Sequence, residues 1–233
     1  MHFTTPLTRW PFKNRQKRFF IHGQEEGQIA HCANTGSLRG VLENTTHVWV
    51  SKSDNPDRKL QFSAELCELT NGTLVNINTA HANTLAAEAI KGGHLPHLKN
   101  LPLQAEAKFS AETRFDFKAG DPNTTENWIE VKNTTLAEGT ENNKVAMFPD
   151  AVTTRGLKHL QTLTHIVQQG GHATQIYIIS RADCTRFTPA EKIDPAYATA
   201  LQKAQKAGVH IFAFSCQVTP QAITIDKTLP LML

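Results

Sequence analysis

The 233 residues of this chain have room for one large or two modest domains, and a composition of 39% hydrophobic and 19% charged residues excludes a disordered or fibrous protein. A formal net charge of +3 is too small to mark a nucleic-acid binder by itself, so such a role has to rest on clustering of the charge. The charged N-terminal stretch is no secretory signal, no apolar run approaches the roughly twenty residues of a membrane span, and Cys32, Cys67, Cys184 and Cys216 form no closely spaced ligand pair, so the chain reads as a soluble, cytoplasmic protein with reduced packing thiols.

The positive charge is clustered at the N-terminus. Arg9, Lys13, Arg15, Lys17 and Arg18 all precede the first acid, Glu25, and interleave with Trp10, Phe12, Phe19 and Phe20. Short β-patterned segments at 17–22, 28–31, 47–52, 60–69 and 73–78, separated by turn signals, predict a small OB-like barrel over residues 1–82. OB surfaces stack bases on aromatic rings and track phosphates with Lys and Arg, which makes Arg15, Lys17 and Arg18 candidate nucleic-acid contacts. Alternation along the strand sends one of Phe19 and Phe20 into the barrel core instead. Residues 32–38 read as a strand connector, whose backbone amides could also hold an anion.

From residue 83 the pattern changes. Asn83-Thr84 predicts the cap of a helix over 85–91 that stops at Gly92-Gly93. Strands follow at 103–109, 113–118 and 128–133. Leu157, Leu160, Leu163 and Val167 place a helix over 153–169. A buried strand over 173–180, a helix opened by Asp194-Pro195 and ended by Gly208, and a strand over 209–216 complete the chain. The order predicts an α/β (α+β) domain with a central mixed sheet over 83–233, built after the all-β domain.

Within that sheet, Asp116 is followed fourteen residues later by Glu130, with Lys132 two further on. The flanking residues alternate with period two, so Glu130 and Lys132 share one face and Ile129 and Val131 the other. The turn formers Gly120-Asp121-Pro122-Asn123 allow the two strands to pair as a hairpin and bring Asp116 beside Glu130. Magnesium or manganese takes oxygen ligands and completes its shell with water and phosphate, so two carboxylates are enough to hold it. A neighbouring lysine can orient the attacking water or meet the charge developing on phosphate. Glu106, on the preceding strand, is a candidate third acid. The same pattern also arises by chance in strands that bind no metal.

Lys17-Arg18-Phe19, Cys32-Ala33-Asn34-Thr35-Gly36-Ser37, Arg114-Phe115-Asp116-Phe117, Glu130-Val131-Lys132-Asn133, and Phe148-Pro149-Asp150-Ala151-Val152-Thr153 with Arg155-Gly156 and Lys158-His159-Leu160 resemble the sugar fermentation stimulation protein A family of bacteria and archaea, from about residue 3 to residue 216. The resemblance implies an N-terminal OB-like domain, a C-terminal domain similar to PD-(D/E)xK nucleases, DNA binding without marked sequence preference, and a regulatory role in maltose metabolism. It puts Asp116 and Glu130 at the two acids of the nuclease signature and Lys132 at its lysine. Phe115 departs from the signature, which often has proline there, and Pro149-Asp150 comes too late in the chain to supply the first acid.

Arg155, Lys158 and His159 lie three and four residues apart on the predicted helix and, with Arg114 beside Asp116, are candidate phosphate contacts. Asp150 either joins that constellation or closes a loop by bonding local backbone amides. Two functions follow: a metal-dependent phosphodiesterase acting on DNA, or a non-catalytic, sequence-tolerant DNA-binding regulator of sugar metabolism. A nucleotide-binding module is disfavoured, since neither GxxxxGK nor GxGxxG occurs.

Overall fold

Val48, Val50, Ala64, Cys67, Val75 and Ile77 are wholly buried in one cluster, and covering them curls the N-terminal strands into a barrel. The computed structural model describes residues 1–121, 126–140 and 143–233. Its first six strands are β1 (Thr8–Gln16), β2 (Phe20–Gly23), β3 (Ile29–His31), β4 (Thr45–Lys52), β5 (Phe62–Leu69) and β6 (Leu74–Asn76). β1 pairs antiparallel with β2 and β4, β2 with β3, and β4 with β5, while a parallel β3–β5 pairing closes the ring. β6 extends the sheet along β5. This is a closed five-stranded OB barrel.

The basic stretch that reads as a cluster ahead of the first strand is itself β1. Only Trp10 of that strand is buried, its ring 4.7 Å from Phe62, so no alternation marks it. The chain then turns at Lys17 and Arg18, which both take positive φ, and re-enters the sheet at Phe20. Contrary to expectation neither Phe19 nor Phe20 is in the core: Phe19 is exposed, Phe20 half-buried, and Ile21 fills the buried position.

The second domain comprises α1 (Ala80–Lys91), β7 (Leu103–Lys108), β8 (Arg114–Ala119), β9 (Asn127–Thr134), β10 (Ala137–Glu138), β11 (Lys144–Phe148), α2 (Thr154–Gln168), β12 (His172–Ile179), β13 (Cys184–Pro189), α3 (Pro195–Ala207), β14 (His210–Val218) and β15 (Ile223–Thr228). Its main sheet runs β15-β14-β12-β9-β8-β7, parallel through β14, β12 and β9 and antiparallel at both edges; β10, β11 and β13 form a second small sheet. α1 buries Leu85, Ala86, Ala89 and Ile90 against one face of the main sheet, and α2 and α3 cover the other through Leu160, Leu163 and Leu201. Coverage on both faces explains why β12 is buried from Ala173 to Ile179 and ends in the apolar run Ile176-Tyr177-Ile178-Ile179.

Thr153 caps α2 by accepting from the Gly156 amide, and Asp194 caps α3 by accepting from the Tyr197 amide, as the start signals led one to expect of Asp194. α1 starts five residues earlier than its expected first residue, so Asn83 lies within the helix and is no cap. Of the expected turn between β8 and β9, Pro122 and Asn123 lie outside the described residues. The four cysteines are buried and unbridged. Among the described residues no helix is long and apolar enough to cross a membrane.

Polar bonds join the barrel to the second domain. The Asn76 amide donates to the Ser180 carbonyl at 2.9 Å, and Thr79 Oγ1, just before α1, to the Ala33 carbonyl at 2.7 Å. Asp150, far along the chain, reaches back: its Oδ2 accepts from the Leu38 amide at 2.9 Å and from Ser37 Oγ at 3.0 Å.

Candidate functional site

β8 changes face at Asp116. Phe115 packs into the cluster under α2 and Phe117 into the one under α1, and the recorded β8–β9 pairing ends at Phe117 opposite Ile129. Beyond that point the Val131 amide donates to Asp116 Oδ2 at 2.7 Å, and Asn83 Nδ2 of α1 donates to Asp116 Oδ1 at 2.9 Å. The carboxylate is thus held where the two strands part. Burial raises its pKa first, repulsion from Glu130 raises it further, and the Val131 and Asn83 donors only partly offset them.

Glu130 sits in the middle of β9, beside Gln175 of β12, with 3% of its surface exposed. His159 Nδ1 lies 2.5 Å from its Oε1, and Lys132 Nζ donates to the same oxygen. Burial works to raise the Glu130 pKa, but Lys132 and His159 together outweigh it and hold the carboxyl below the usual range. The other oxygen, Oε2, is buried without a hydrogen-bond partner. Buried polar atoms are almost always satisfied, so an orphaned carboxylate oxygen needs an explanation.

That explanation lies in front of it. A cavity of about 640 Å³ is lined by Asp116, Glu130 and Lys132 of the sheet, Asn83 of α1, Asp150 and Arg155 at the start of α2, and Arg18, Asn34 and Gly36 of the barrel. Thr134, whose Oγ1 is also buried and unpartnered, lines it as well. Two carboxylates that repel each other, one with a free oxygen, are a donor set that a hard divalent cation fits. Among the described residues no group of three or more His, Cys, Asp or Glu converges closely enough to hold a metal ion. A cation here would rest on two acids and complete its shell with water or substrate oxygen.

The structure brings Asp116, Glu130, Lys132, Asp150, Arg155 and Arg18 around one cavity and leaves the other expected residues elsewhere. Glu106, the candidate third acid, does not line it: it is exposed, takes positive φ, lies 3.7 Å from Arg114, itself exposed, and lines a second cavity that shares Asn83 and Asp116 with the first. Arg15 is spent within the barrel. Its guanidinium donates to the Arg18 carbonyl at 2.7 Å, to the Gly36 carbonyl at 2.9 Å and also to the Asn34 carbonyl, which leaves it a loop clamp with little donor capacity for phosphate. Lys17 is exposed at the turn, outside the cavity walls. Lys158 also lies outside and pairs with Glu112 at 2.9 Å. His159, expected to meet phosphate, is buried beneath the site as the partner of Glu130, with the Phe115 ring edge-on to it at 5.7 Å. Asp150 does bond backbone amides, though across the domain joint and not within its own loop.

Asn83 and the polar run of Asn133 and Thr134 were not anticipated. Asn83 reads as a helix cap from its neighbours, and only the position of α1 shows that it carries Asp116.

Residues 14–77 match the family model described as SfsA N-terminal OB domain, and residues 80–222 match the Sugar fermentation stimulation protein RE domain. The chain is 40% identical over 235 residues to the sugar fermentation stimulation protein homolog of Rhodospirillum centenum, covering 99% of both chains. It is 40% identical over 239 residues to that of Nitrosococcus oceani, covering 100% of both. A solved structure of Pyrococcus furiosus SfsA in complex with Ca2+ superposes with a TM-score of 0.86 at 25% identity, covering 100% of this chain and 98% of that one.

Proposed function

This chain belongs to the sugar fermentation stimulation protein family, and we propose that it is a metal-dependent phosphodiesterase of the PD-(D/E)xK type acting on DNA. The observation that carries this reading is the buried, unpartnered Glu130 Oε2 in a cavity shared with Asp116 and Lys132. Asp116 and Glu130 are the residues that would hold magnesium or manganese, and the Pyrococcus furiosus relative was solved in complex with Ca2+, another oxygen-seeking cation. When bound, such a cation supplies Lewis-acid stabilisation of the phosphate and lowers the pKa of a water ligand.

The protein's own groups supply the rest. Asn83 and the Val131 amide fix the Asp116 carboxylate, while His159 fixes Glu130 Oε1 and leaves Oε2 directed to its ligand. Lys132 Nζ carries three donors and spends one on Glu130, so another can meet the charge that develops on the phosphate. Arg18 from the barrel and Arg155 from α2 grip flanking phosphates. Incubating the protein with plasmid and single-stranded DNA in magnesium and in manganese tests this. Cutting that stops with EDTA and with Asp116→Asn is expected; no cutting, or cutting that survives the substitution, overturns it.

One observation favours a second reading, a non-catalytic DNA-binding regulator. Glu130 Oε1 is already engaged by both Lys132 and His159, as a site kept for stability would be. Salt-dependent DNA binding without metal-dependent cutting is its signature.

A further inference from the structure

The acids stand at the bottom of a cavity walled by both domains. Glu130 is 3% exposed, and two barrel segments reach the wall, the β1–β2 turn with Arg18 and the loop after β3 with Asn34 and Gly36. Asp150 and Arg15 fix that loop from either side: the first bonds Ser37 and Leu38, the second bonds the carbonyls of Asn34 and Gly36. A strand that enters passes between the barrel and the second domain, and a single strand is narrower than a duplex.

The surface beside the cavity is apolar where a duplex would want only charge. Phe19 is 44% exposed, next in the chain to Arg18, and Val152 is 72% exposed on the wall near Arg155. Lys17 and Arg18 both adopt left-handed backbone, uncommon for non-glycine residues. Arg15 Nε donates to the Arg18 carbonyl at 2.7 Å, and Arg18 and Phe19 stand in the β1–β2 turn. A cation alternating with an exposed ring is the pattern that grips unpaired nucleotides, because an unpaired base offers its face for stacking while a paired one does not.

We propose that the cavity accepts an unpaired nucleic-acid strand, with Arg18 and Arg155 on its phosphates and Phe19 and Val152 against its bases, and that it discriminates against intact duplex. The inference rests on the phosphodiesterase reading and names its substrate class. The test is anisotropy of end-labelled oligothymidylate bound to the full chain in Ca2+ at one fixed salt concentration, in competition with covalently closed duplex circles, followed by cutting assays in manganese.

The single strand is expected to bind at least about ten-fold tighter than the closed duplex, the equivalent of about one stacked base. Arg18→Ala and Phe19→Ala are each expected to weaken it by about that factor with the melting temperature unchanged. Equal affinity for both substrates, or unchanged affinity in both variants, overturns the inference. If closed circles are cut as fast as single strands in an Asp116-dependent manner, the inference falls while the phosphodiesterase reading stands. If the chain neither binds nor cuts any nucleic acid, that reading fails and takes the inference with it.

Discussion

His159 Nδ1 lies 2.5 Å from Glu130 Oε1 in the interior between β9 and α2, which makes the histidine a support for the carboxylate and not a contact for substrate. A partner that orients a ligating carboxylate typically changes metal affinity by about 10–100-fold when removed. His159→Leu is therefore expected to weaken manganese binding by about that factor, read by calorimetry, while the salt dependence of DNA binding keeps its slope. A slope reduced by about one, with manganese affinity intact, would restore the phosphate contact expected from the helix spacing.

Asp116 makes the metal-free protein less stable at neutral pH. Its carboxyl holds a proton more tightly folded than unfolded, so stability falls as pH rises from the ordinary aspartate range through the raised folded value. Asp116→Asn removes that cost. In EDTA at pH 7 the variant is expected to melt above the parent, and the gap should close on acidification. An equal or lower melting temperature at pH 7 would show that Asn83 and Val131 already compensate the charge.

The Asp150 carboxylate supplies two of the bonds across the domain joint. Asp150→Ala removes two bonds to the barrel loop and is expected to cost about 2 kcal/mol in denaturant unfolding. Gly36→Ala attacks the same contact from the other side, since a Cβ there would stand 2.8 Å from Asp150 Oδ2. Because the two changes act on one contact, the double variant should cost less than the sum of the single ones; strict additivity would place the two residues in separate roles.

Arg15 and Arg18 separate by assay. Arg15→Ala frees the carbonyls of the 34–37 loop and is expected to lower the melting temperature. Arg18→Ala should leave the melting temperature unchanged and reduce the salt slope of DNA binding by about one. The reverse pattern would return Arg15 to the phosphate-binding role read from its charge.

What was legible in the sequence was local. Alternation in 128–133 put Glu130 and Lys132 on one face, and the two side chains do meet. The apolar run Ile176-Tyr177-Ile178-Ile179 marked the buried strand beside it, and Asp194-Pro195 and Gly208 marked both ends of α3. Long-range partners left no local signal. Asp150 finds the Leu38 amide 112 residues away, Asn83 finds Asp116 across 33, and His159 finds Glu130 across 29. β1 leaves no signal because burial of Trp10 alone gives no period; β10 is two residues long, β15 is largely exposed at a sheet edge, and β11 and β13 show no clean alternation of buried and exposed positions. Glu106 reads as an acid near the site from its place on the neighbouring strand, and it does share a second cavity with Asn83 and Asp116, but it is exposed beside Arg114 and does not line the cavity of Glu130.

The central claim is that Asp116 and Glu130 together hold a divalent cation. Calorimetric titration of manganese into the metal-free full chain, its Asp116→Asn variant and its Glu130→Gln variant measures this directly. The parent is expected to bind manganese, with each single substitution abolishing or sharply weakening that binding in a protein that still unfolds cooperatively. Equal manganese affinity in all three proteins would contradict it.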